Sequence, residues 1–97
     1  MKEVALMEET VVQTLNRLRQ QGRLAQLAVS ETGFSFDPRT GQSFTVNETG
    51  LFALNLLING GDTGSIARGL ADEFEVEEEM ARSAVEVFIR QLGRYLQ

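Results

Sequence analysis

The sequence predicts an α+β fold, a small three-stranded antiparallel sheet followed by three helices, with an extra helix in front. Three observations carry this. The stretch "GFSFDPRTGQSFTVNETG" (33–50) places apolar residues at every second position on either side of a polar turn, which is the period of a half-buried strand. From Glu48 onward apolar residues recur at spacings of three and four, broken by "NGG" at 59–61, which is the period and punctuation of helices. The chain has 97 residues, 42% hydrophobic and 24% charged, enough for one modest core.

The elements follow in order. Over residues 3–21 a helical stripe of Val4, Met7, Val11, Leu15 and Leu18 ends at the glycine of "QQG". We assign 1–22 to this N-terminal extension and 23–97 to the main domain, and expect the stripe to pack on that domain. "LAVS" (27–30) reads as a first strand, "FSFD" (34–37) as a second and "SFTVN" (43–47) as a third. Between the last two, "DPRTG" supplies a proline with preset φ and a glycine for a positive one. Phe34 and Phe36 share one face and are expected in the core, and Phe44 and Val46 share another.

Asn47 is a good cap for a helix over 48–58, whose Leu51, Phe52, Leu54, Leu56, Leu57 and Ile58 leave little polar face. After "NGG", Asp62 or Thr63 caps a helix through Phe74, with Ile66, Ala67, Leu70, Ala71 and Phe74 inward. The last helix runs from about Glu77 to Tyr95, with Ala81, Val85, Phe88, Leu92 and Leu96 inward. Met80, Val87 and Ile89 widen its apolar stripe beyond one core contact, leaving part for a partner.

Composition excludes several classes of function. No Cys and no His are present, which removes disulfides, thiolate metal sites, His-based metal sites and hydrolytic triads. We therefore expect no enzyme, no metal and no cofactor. The net charge of −5 argues against a nucleic-acid binder, because phosphate neutralisation needs clustered Lys and Arg. "DEFEVEEE" (72–79) holds six of the fourteen acids and reads as a solvated helix start that complements the macrodipole. "NGGDTGS" (59–65) lacks the Lys and the spacing of a phosphate-binding loop. No apolar run spans a bilayer, and acids interrupt the start where a signal peptide needs an apolar run. A cytoplasmic protein with no membrane contact is the expectation.

Three strands, then three helices with a tight junction between the second and third, describe a small winged-helix-like domain. From Leu27 to Leu96 the chain resembles the PqqD family, whose domain is also called the RiPP recognition element. The residues that carry the resemblance are the strand ending in Asn47 with "ETG" at 48–50, the Gly60-Gly61 break, "IARGLADEFEV" (66–76) and "VFIRQL" (87–92). It departs from the family where Ala84 stands in place of a frequent acid four positions before the Phe of the last helix. The resemblance implies a non-enzymatic adaptor that grips the leader of a ribosomally made precursor peptide and presents it to a maturation enzyme, often a radical SAM protein. It implies that the leader adds as a strand to the third strand, against the last helix. The peptide-binding set is then Gln42, Ser43, Phe44, Thr45 and Val46 on the strand with Arg82, Val85, Ile89 and Arg90 on the helix, the two arginines holding an acidic leader residue by a forked contact. Two alternatives stand beside this. "DTGSIARGLADEF" has the rhythm of a DNA-binding helix-turn-helix, although Glu77, Glu78 and Glu79 would open its recognition helix. An oligomerisation subunit, with a homodimer through the sheet edge or the N-terminal stripe, is the other.

Overall fold

The computed structural model describes residues 9–96. The elements are α1 (Val11–Gln20), β1 (Ala28–Val29), β2 (Phe34–Asp37), β3 (Gln42–Thr45), α2 (Glu48–Ile58), α3 (Thr63–Phe74) and α4 (Glu78–Tyr95). The sheet is antiparallel in the order β1-β2-β3, which makes the chain an α+β fold.

Side-chain caps start α1, α2 and α3 where they begin. Thr10 caps α1 through a reciprocal pair, its Oγ1 accepting from Gln13 N at 3.0 Å while Gln13 Oε1 accepts from Thr10 N at 2.9 Å. Asn47 caps α2 through Gly50 N, and Asp62 caps α3 through Ser65 N, both at 2.8 Å. The Ser65 amide, acting first, holds the Asp62 carboxyl below its ordinary value. The Asp37–Gly41 turn closes with Gly41 N donating to Asp37 O at 2.8 Å, and Gly41 sits at a φ of +79° that L side chains rarely adopt. One helix end is strained instead: Glu75, after α3, is left-handed at φ +55°.

The three helices after the sheet and α1 share one core. Leu18, Leu54, Leu57, Ile66, Val85 and Ile89 are among its fully buried side chains. Of the predicted N-terminal stripe, Val11, Leu15 and Leu18 are buried in it, while Val4 and Met7 lie outside the described residues. Two contacts seat α1. A Cβ on Gly93 would stand 2.5 Å from Thr14 Cγ2, so only glycine lets α4 approach α1 this closely. Arg19 Nη2 donates to Leu57 O at 2.9 Å and Gly61 O at 2.6 Å, tying α1 to the last turn of α2 and the loop after it.

Two core expectations are corrected. Phe34 and Phe36 lie on the solvent face of β2, 50% and 39% exposed, while Ser35 and Asp37 are fully buried. A strand has only two faces, and the inner one is taken by an ion pair. Arg23, in the turn after α1, is buried against Asp37 and also donates to Leu96 O at the end of α4. In α4 the roles of two neighbours are exchanged: Ile89 is fully buried, and Phe88 is only half-buried. The core-facing line of α4 is Ala81, Val85, Ile89, Leu92 and Leu96, which turns Phe88 toward the side of the helix that faces β3.

Candidate functional site: the β3 edge and the α4 groove

The pairing of β2 with β3 decides what β3 offers on its other side. Val46 N donates to Gly33 O at 3.0 Å, and the register pairs Phe34 with Thr45, Ser35 with Phe44 and Phe36 with Ser43. In an antiparallel ladder the backbone groups of successive residues point alternately to one neighbour and the other. Phe44 and Val46 therefore spend theirs on β2, while the N–H and C=O of Ser43 and Thr45 face the unpaired edge. β1 is on the far side of β2, so nothing within the sheet covers this edge.

Alongside the edge runs a groove whose other wall is α4. Ala84, Val87, Phe88, Gln91 and Tyr95 recur at helical spacing along that wall, and Phe44, Thr45 and Val46 form the strand side. Two overlapping sections have volumes of about 620 and 630 Å³. They share Thr45, Val46, Phe88 and Gln91, so they are one continuous trough. Beyond Thr49, Leu70 and Ala84 it meets a smaller apolar pocket of about 200 Å³ beside Phe74, Val76 and Met80. At the opposite end Tyr95 closes the trough. Its ring meets the Phe44 ring edge-on with centroids 5.0 Å apart, and its hydroxyl donates to Ser43 O at 3.2 Å.

The residues singled out from sequence divide between this groove and elsewhere. Phe44, Thr45 and Val46 line it; Gln42 and Ser43 are on the strand but contribute no wall. Val85 reaches the floor of the trough but is buried core, and Ile89 is buried away from it. The two arginines do not meet at the groove. Arg82 lies 3.5 Å from Glu78 one turn earlier, and Arg90 Nη1 donates to Glu9 O at 3.3 Å on the α1 side. Glu9 is engaged by Arg17, whose guanidinium holds the Glu9 carboxyl below its ordinary value. The cation that does line the groove is Arg94. Sequence reasoning left Val87 among the apolar residues available to a partner, and missed Ala84, Phe88, Gln91, Arg94 and Tyr95 as wall residues. The signal was the broadened apolar stripe of α4, read one residue out of phase.

Residues 34–95 match the family described as Coenzyme PQQ synthesis protein D (PqqD). The chain belongs to the PqqD family. The match begins at β2 and ends at Tyr95, so it takes in both walls of the groove and leaves out α1 and β1. No curated protein and no solved structure matches the chain. Among the described residues of this PqqD-family chain, no group of side chains could hold a metal ion. Among them, too, no helix is long and apolar enough to cross a membrane. Asp37 is the one fully buried carboxylate among them, and its partner is Arg23.

Proposed function

We propose that this chain is a non-enzymatic peptide-binding adaptor. It takes up the leader of a ribosomally made precursor peptide as a fourth strand on β3 and presents it to a maturation enzyme, a radical SAM protein in the pyrroloquinoline quinone setting its family is named for. The observation that carries this reading is the unpaired β3 edge lying open beside an apolar trough. Main-chain bonds to the outward groups of the edge, Thr45 among them, give affinity with little demand on sequence, and alternate side chains of the peptide find the trough. Phe44 and Val46 supply one wall; Ala84, Val87 and Phe88 supply the other, in place of Val85 and Ile89. Arg94 takes the part first given to Arg82 and Arg90, as the cation beside an acidic peptide residue. The one fully buried carboxylate among the described residues, Asp37, is committed to Arg23. Glu77, Glu78 and Glu79 are exposed around the start of α4 and would repel phosphates, which speaks against the DNA-binding alternative.

The test is amide hydrogen exchange with and without the leader of a precursor encoded beside this chain. Added protection within 43–46 at saturation is the expected result; unchanged exchange there rejects strand addition.

A further inference from the structure

Tyr95 touches the edge at the point where a docking strand would pair. Ser43 C=O faces outward by the alternation of the ladder, and the Tyr95 hydroxyl already donates to it at 3.2 Å. The ring is held there by its edge-on contact with Phe44. A peptide N–H bonding to Ser43 O would have to come to about 2.9 Å, into the space the hydroxyl fills. Thr45, two residues on, meets no such obstruction. Beyond Val46 the trough continues past Thr49 and Ala84 to the pocket beside Val76 and Met80, so room for a ligand lies on that side of Thr45.

We propose that Tyr95 is a positioning residue that sets the register of the docked strand: it stops pairing short of Ser43, so the strand bonds at Thr45 and runs from there toward the Val76–Met80 pocket. This rests on the peptide-binding reading above and adds to it a fixed end point. The ligand class that follows is a peptide whose strand-forming part is short. Its apolar anchor lies past that part, where the backbone has left the sheet edge and a side chain can enter the pocket.

The chain has one tyrosine and no tryptophan, so its tyrosine emission reports on this contact alone. The probe is a decapeptide selected from a random display library against the wild-type chain, followed by residue-resolved amide exchange. In the wild type the bound decapeptide slows the Thr45 amide, leaves Ser43 fast, and leaves the tyrosine emission unchanged. In Tyr95→Phe, which keeps the ring on Phe44, both amides slow. The Tyr95→Phe chain binds the decapeptide about fivefold tighter, the worth of roughly one net hydrogen bond, and its melting temperature checks that the fold is intact. Equal slowing of Ser43 and Thr45 in the wild type overturns the assignment, as does a Tyr95→Phe chain with the wild-type pattern. A decapeptide that binds in the trough and slows neither amide in either chain rejects strand addition itself, and the stop with it.

Discussion

Arg23 and Asp37 form a buried ion pair that ties the turn after α1 to the last residue of β2, and the same guanidinium donates to Leu96 O at the end of α4. Three separate parts of the chain meet on one side chain. Asp37 is further held by Thr40 Oγ1 at 2.9 Å and by the Arg39 N–H at 3.1 Å. The hairpin turn and the ion pair therefore depend on a single carboxylate.

Removing one partner strands the other. Asp37→Asn is expected to cost about 3–5 kcal/mol in denaturant unfolding, because Arg23 stays buried without a counter-ion. Replacing the pair together, Arg23→Met with Asp37→Leu, restores most of that loss, since apolar substitutes of similar volume are often neutral or stabilising. A double variant as unstable as the single one would mean that the bond to Leu96 O or the turn bonds, and not the charge pair, carry the stability.

The same carboxylate predicts a pH dependence. Burial pushes the Asp37 carboxyl up, and the bonds from Thr40, the Arg39 N–H and Arg23 together overcome it, holding it below its ordinary value. A carboxyl depressed in the folded state binds its proton more readily when unfolded. Its stabilisation is therefore complete at neutral pH and lost as pH falls below about 4 and through the folded value. Unfolding free energy measured from pH 7 downward should decline in that window, and the decline should be shallower in the Arg23→Met, Asp37→Leu variant.

The phase of α4 can be read from two cavities. Ile89→Ala should cost about 2–5 kcal/mol, as a large-to-small change in a fully buried site. Phe88→Ala should cost less than the 3–5 kcal/mol of a buried aromatic, because Phe88 is half in the trough, and should weaken peptide binding. Thermal melts of the two variants decide: equal or reversed losses would put Phe88 in the core.

Gly93→Ala tests the seat of α1. Alanine is the better helix former by about 1 kcal/mol, yet its methyl would press on Thr14 Cγ2, and overpacking of this kind costs roughly 1–3 kcal/mol. A net loss of stability is expected, relieved by Thr14→Ser, which removes the opposing methyl. A Gly93→Ala chain more stable than the wild type would show that α1 can withdraw at no cost.

Thr45→Pro separates edge from fold. The Thr45 N–H faces away from β2, so proline removes no ladder bond there. The variant should melt near the wild-type temperature and lose the decapeptide, as read by titration calorimetry; retained binding would move the ligand off the edge.

What the sequence determined by itself is what neighbouring residues settle among themselves. The capping chemistry of Asn47 and Asp62, the glycine of the Asp37–Gly41 turn and the breaker at 59–61 act within four residues, so they mark β2, β3, α2 and the start of α3 to within a residue or two. The resemblance carried by 66–76 and 87–92 belongs to the same local order, and it led to the strand and helix that bound the trough. Tertiary structure decided which way each element faces. Alternation along β2 tells that Phe34 and Phe36 share a side; it does not tell that Arg23, remote in sequence, claims the other. A broad apolar stripe on α4 fits inward rotation about either Phe88 or Ile89, and the choice falls to the close approach of α1 at Gly93 and of α3 on the other flank. Tyr95 and Ser43 lie 52 positions apart. Their contact exists because α4 packs back across the sheet, and long-range packing of this kind leaves no trace in local periodicity.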